Sequence, residues 1–142
     1  MPTKIKNLRL KAFQHQQGRC WYCGVQMWHH DPAELPGIPA NSASRLRCTA
    51  EHLQARCDGG RDEASNVVAA CEHCNQTRHR LRPPPHPNAH LKSIRKQIAH
   101  GGWHPGWVRS SGLLSVGALV GTRVKTPSQA ENKAVLSDVR LF

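Results

Sequence analysis

Ala50–Arg78, AEHLQARCDGGRDEASNVVAACEHCNQTR, carries near its end the pair Cys71 and Cys74, which answers an upstream pair, Cys20 and Cys23, in CWYCG. Two thiolates three residues apart on a tight turn can share one ion, and Gly24 eases the turn after Cys23. Two such pairs complete a tetrahedral shell with no open position, so the spacing predicts a structural zinc held by Cys20, Cys23, Cys71 and Cys74. Cys48 reads as a buried strand residue and Cys57 as a loop residue, with a second metal site as the minor alternative.

A staple of this kind answers a need of the chain. Hydrophobic residues make up 38% and aromatics 5% of 142 residues, too little apolar mass to stabilise a compact fold of this size comfortably. A structural zinc contributes roughly 10 kcal/mol or more of apparent folding free energy, comparable to the whole stability of a small domain. The zinc reading assumes a reducing, cytoplasmic setting; an exported chain could instead pair its six cysteines as disulfides.

Outward from the quoted stretch, Ile5, Leu8 and Ala12 recur at helical spacing and predict an amphipathic helix within 1–18, stopped by Gly18. Asp31 to Ser44, with Pro32, Pro36, Gly37 and Pro39, reads as an irregular loop. Arg45 to Glu51 and Val67 to Ala70 read as short strands around the CDGG turn at 57–60. Asn75 to Leu81 can be helical until Pro83, Pro84, Pro85 and Pro87 end it, closing a core unit over 19–82. Within a Pro-rich linker and basic helix over 83–109, Leu91, Ile94 and Ile98 form the apolar face. Residues 110–142 form a tail without a placeable motif. The expected class is α+β, a small zinc-stapled core with flanking helices and an irregular C-terminal tail.

The formal net charge of +11 favours a polyanionic partner such as nucleic acid. Residues 1–30 hold five Lys/Arg and no acid, and 73–130 hold nine and no acid, whereas 31–72 hold seven acids against four Lys/Arg. Acids gathered in the centre suit a site that binds a metal cation beside a phosphate, with the basic flanks holding the nucleic-acid backbone. No signal peptide is evident, and the most apolar stretch, Gly112 to Gly121, has half the length a bilayer needs, so no membrane partner is expected. Nothing points to a small-molecule cofactor or sets an oligomeric state.

Over roughly Arg19 to Arg82 the chain resembles the HNH endonuclease family in its CxxC-bearing, treble-clef, ββα-metal form. That family sets an acid and a histidine side by side at the end of the first strand, matched by Glu51 and His52, and an asparagine in the second strand, matched by Asn66. The third signature position follows the last zinc cysteine; here it is Asn75, where other members carry histidine. The resemblance implies a DNA endonuclease leaving 5′-phosphate and 3′-hydroxyl ends, of a kind found in phages and mobile elements. It implies His52 as general base, Asn66 as the residue that fixes the loop between the strands, and Glu51 with Asn75 as ligands of Mg²⁺ or Mn²⁺.

These residue types suit the chemistry. Phosphodiester hydrolysis needs a base for water, a cation for the charge that develops on phosphorus, and help for the leaving oxygen. An unperturbed imidazole has a pKa near neutrality, which suits a histidine to the role of base, and a carboxylate and an amide carbonyl are hard oxygen ligands. Arg78, one helical turn beyond Asn75, is read as reaching a phosphate oxygen, with Arg56, Arg61, Arg80 and Arg82 on neighbouring phosphates; a solvated basic face is the bland alternative. His79 shares a helical face with Asn75 and ranks below it as a ligand. His73 reads as a surface or substitute-ligand residue, and His29, His30, His86, His90, His100 and His104 have no spacing that compels a role. Trp103 and Trp107 in GGWHPGW could stack on a base, but packing against a helix is the preferred reading. Two other functions compete: a zinc-stabilised DNA-binding module without catalysis, and a structural zinc protein that contacts other proteins.

Overall fold

A computed structural model describes residues 3–114 and 121. It shows helices around a small two-stranded sheet, beside which four cysteines converge. Helix α1 (Lys4–His15) is capped by the Thr3 hydroxyl, which accepts from Lys6 N, and ends at Gln16. Gln17 and Gly18, both at positive φ, turn the chain toward the first cysteine pair. Ile5, Leu8 and Ala12 are half-buried, as their spacing required.

Strands β1 (Cys48–His52) and β2 (Val67–Cys71) pair antiparallel, with Cys48 opposite Cys71 and His52 opposite Val67. β2 is buried along its whole length, which its unbroken apolar run suits. The backbone of its other edge is not left unpaired: Gln16 Nε2 donates to Ala69 O (2.9 Å), Gln16 Oε1 accepts from Ala69 N (3.0 Å), and Trp21 N donates to the same carbonyl (2.9 Å). The end of α1 is thereby fastened to the sheet. Between the strands, the turn at Gly59 and Gly60 needs glycine at its second position, because a Cβ there would stand 1.8 Å from Gln54 O.

Helix α2 (Glu72–Arg80) follows β2 without a spacer; Cys71 closes the strand, and its Sγ caps the helix by accepting from Cys74 N. Helix α3 (Pro87–Ala99) inserts Leu91 and Ile94 into the core, and the short α4 (Gly106–Ser110) adds Val108. The remaining large core side chains are few, chiefly Tyr22, Met27 and Leu46 around the cysteines, which agrees with a fold that needs a staple.

Three sequence expectations are corrected. The first strand starts at Cys48, because Ala40–Leu46 winds into a 3-10 helix instead of extending from Arg45. The 31–44 loop is therefore partly ordered as 3-10 turns, the first spanning Pro32–Glu34 under an Asp31 capping box. Pro87 does not terminate a helix but opens α3, where its missing N–H costs nothing. Of the 110–142 tail, only 110–114 and 121 fall among the described residues. Among the described residues no helix is long and apolar enough to cross a membrane.

Candidate active site and metal centre

Folding brings the two cysteine pairs together: the sulfurs of Cys20, Cys23, Cys71 and Cys74 all lie within 4.8 Å of one another, and all four residues are buried. Cys23 and Cys71 sulfurs are 3.9 Å apart. That is far beyond a disulfide bond and close to the separation of about 3.8 Å that Zn–S bonds of about 2.3 Å impose across a tetrahedron. Burial opposes ionisation of Cys20, yet hydrogen bonds from Cys23, Cys71 and Cys74 draw its thiol well below the usual range, while burial pushes Cys23 and Cys74 up. A dication at their centre is what allows four buried thiols to ionise together. Cys48 is buried on β1 and Cys57 is exposed; neither joins the cluster.

A second site opens on the strand ends. Glu51, His52, Asn75 and His79 line one open cleft of about 450 Å³, together with Ile5 from α1 and Ala55, Arg56 and Cys57 from the interstrand loop. β1 supplies the first two residues and α2 the next two, so the convergence follows directly from the strand-to-helix step at Cys71.

Glu51 is 1% exposed. Its Oε2 accepts from the Tyr22 hydroxyl (2.8 Å) and from Arg78 Nη1 (2.9 Å), while Oε1 stands 3.0 Å from His79 Nε2. Burial, followed by the charge of Glu51, pushes the Tyr22 phenol well above its usual range and keeps it a donor. Asn75 Nδ2 donates to Thr49 Oγ1 (3.0 Å) and to Ala50 O (3.1 Å). A carbonyl only accepts, so the nitrogen end of this amide is assigned, and Oδ1 is the end left for a cation.

His52 Nε2 lies 2.7 Å from Asp62 Oδ1, and Asp62 is also bridged by Arg56 at 3.1 Å. The bond from His52 and, after it, the Arg56 guanidinium hold the Asp62 carboxyl below its ordinary value. An ionised carboxylate only accepts, so His52 donates to it from Nε2, and Nδ1 is the ring nitrogen not engaged by Asp62. Asn66 lies just ahead of β2, and its side chain clasps the loop: Oδ1 accepts from Gln54 N, and Nδ2 donates to Gln54 O and Arg61 O.

The arginines separate into two kinds. Arg56, Arg61, Arg80 and Arg82 are exposed, open to a solvent-borne partner. Arg78 is 3% exposed and donates to Glu51, His52 O, Leu53 O and Pro85 O. Four of its five N–H groups are bonded inside the protein and the side chain is buried, so the expected phosphate contact gives way to a role in holding Glu51. Tyr22 and Asp62 had escaped the sequence reading. Tyr22 sits between two zinc-spaced cysteines, where attention goes to the ligands, and the only hint of Asp62 was its place in the acidic centre of the chain. His90 and His104, given no role above, are buried near the cluster; His90 lies 2.9 Å from Cys74 O.

No curated protein and no solved structure matches the chain. Residues 39–81, from the 3-10 helix before β1 to the end of α2, match the family model described as HNH endonuclease. The chain thus carries a match to the HNH endonuclease family over 39–81, and its four cysteines gather where a zinc ion would staple the fold.

Proposed function

We propose that the domain is a metal-dependent nuclease that hydrolyses phosphodiester bonds of DNA, with His52 as general base. The observation that carries this reading is the sharing of one cleft by His52, Glu51 and Asn75, with the His52 ring held through Nε2 by Asp62. Glu51 Oε1 and Asn75 Oδ1 are the ligands for a divalent ion, Mg²⁺ or Mn²⁺, and His79 Nε2 stands next to them. When bound, that ion offsets negative charge on the phosphate and on the leaving 3′ oxygen.

The protein's own part is orientation. Tyr22 and Arg78 hold one oxygen of Glu51, and the other meets His79 at the cleft; Thr49 and Ala50 O hold the amide nitrogen of Asn75. His52 accepts the proton of the attacking water at Nδ1, and Asp62 stabilises the imidazolium so formed. Asn66 fixes the loop that carries Asp62, and Arg56, Arg61, Arg80 and Arg82 hold flanking phosphates. The products carry 5′-phosphate and 3′-hydroxyl ends. Free thiols of this kind suit the cytoplasm, and the treble-clef description fits a knuckle, a hairpin and a helix around one cysteine cluster.

The test is plasmid relaxation by the zinc-loaded protein with Mg²⁺ or Mn²⁺, expected for wild type and lost in His52→Ala with zinc content and circular dichroism unchanged. A protein that binds plasmid yet nicks it under no divalent metal would establish the second reading, a zinc-stabilised DNA-binding module. The internal pairing of Glu51 with Tyr22, Arg78 and His79 favours that reading, since it already satisfies the carboxylate.

A further inference from the structure

The GGWHPGW segment lies beyond the matched span of 39–81, and the nuclease reading gives it no task. It runs directly against the cysteine cluster. Trp103 Nε1 donates to Cys74 Sγ at 3.3 Å, and His104 Nε2 lies 3.2 Å from Cys23 Sγ. The other two sulfurs are served from within the fold: Cys71 N donates to Cys20 Sγ (3.3 Å) and Cys74 N to Cys71 Sγ (3.4 Å). Each of the four sulfurs therefore meets one N–H group, two from the backbone around β2 and α2 and two from consecutive side chains of a later segment.

That segment is set in place with some strain. Trp103 is a bulky residue at φ 78°, a left-handed conformation that a tryptophan adopts only under constraint. Arg45 supplies the constraint: Nη2 donates to Trp103 O (2.7 Å), and Nε donates to His104 Nδ1 (3.1 Å). A guanidinium cannot accept, so His104 Nδ1 must, and the His104 proton is placed on Nε2, facing Cys23. Arg109 adds a bond to His104 O (2.9 Å), and His104 is 3% exposed.

We infer that Trp103 and His104, positioned by Arg45, form a hydrogen-bonding cap on the Cys23 and Cys74 thiolates that holds zinc in the cluster. Four thiolates around a zinc ion make a dianion in a water-poor interior, where each N–H···S bond lowers the cost of the excess charge and keeps the sulfurs from capturing protons. The two sulfurs that the matched domain leaves without a donor among the described residues are the two that the cap reaches. The inference stands apart from the nuclease reading, because it concerns retention of the structural metal.

Two measurements on the full chain test it. In wild-type protein loaded with ¹¹³Cd in place of zinc, scalar coupling to cadmium is expected at the Trp103 Hε1 and His104 Hε2 protons. In zinc-loaded protein, Trp103→Phe and His104→Phe should each speed zinc loss to an excess of chelator by roughly tenfold. Trp107→Phe, in the same segment but with no bond to a sulfur, should stay near the wild-type rate. Absence of cadmium coupling at either proton overturns the cap, as does release from both variants at the Trp107→Phe rate. Should the variants fail to load zinc, the coupling in wild type decides alone.

Discussion

Replacing Arg78 by methionine probes the internal scaffold of the cleft. The Arg78–Glu51 pair is almost wholly sheltered, with side chains 4% and 1% exposed and a separation of 2.9 Å. Removing the cation while keeping the stem's volume leaves a buried carboxylate with only Tyr22 and His79 beside it, and orphans the carbonyls of His52, Leu53 and Pro85. Breaking one side of such a pair costs about 3–5 kcal/mol, a large share of the 5–15 kcal/mol that keeps a typical domain folded. Arg78→Met should lose about that much in urea unfolding with zinc held saturating, while Arg80→Ala on the exposed face should shift stability by less than about 0.5 kcal/mol. Adding Glu51→Gln to Arg78→Met removes the stranded charge and should recover part of the loss. A loss below about 1 kcal/mol in Arg78→Met, or a double variant whose losses simply add, would refute this account of Arg78.

Three shorter predictions follow. Stripping zinc with a chelator should unfold the chain cooperatively by circular dichroism, since the metal contributes roughly 10 kcal/mol to a domain with few large core side chains. Asp62→Asn removes the negative charge that stabilises the His52 imidazolium and replaces one carboxylate oxygen by an amide nitrogen, so kcat for nicking should fall at least roughly tenfold with KM for plasmid little changed; equal rates would remove Asp62 from the base's support. Gln16→Leu deprives Ala69 N and O and Arg19 O of side-chain partners and should lower stability by about 1–3 kcal/mol, read as a shifted urea midpoint.

What could be read in advance divides by the range of the physics. The zinc quartet was visible because two ligands three residues apart are a local geometric requirement, which holds whatever the rest of the chain does. The helical face of Ile5, Leu8 and Ala12 and the apolar run of β2 were visible for the same reason. Glu51, His52, Asn66 and Asn75 became candidates through resemblance, and the structure places Asn75 against the strand that bears the first two. Arg78 was misread because an arginine one turn past a ligand looks the same in sequence whether it faces solvent or a buried acid; only the packing of α2 on β1 separates the two. Tyr22, Asp62 and the Trp103–His104 step act across tens of residues through single bonds, and no periodicity records such contacts. Pro87 was ambiguous, since a proline closes one helix and opens the next with the same ring.

The cysteine cluster and the cleft are joined most tightly in α2, which has no apolar stripe of its own. Cys74 and Arg78 are its two buried residues, four apart and so on one face, the first in the cysteine cluster and the second on Glu51. Asn75 and His79, each one step further along the chain, form the adjoining face and line the cleft. An α-helix advances about 100° per residue, so whatever fixes the 74/78 face also fixes where the 75/79 face points. On the other side of the cluster, Tyr22 rises from between Cys20 and Cys23 to the same carboxylate that Arg78 holds. Glu51 is thus gripped from both halves of the cysteine quartet. A change of the zinc ligands that only partly loosens the cluster should therefore misplace Asn75 and Glu51 together before the helix itself is lost, and the cleft should fail as a unit.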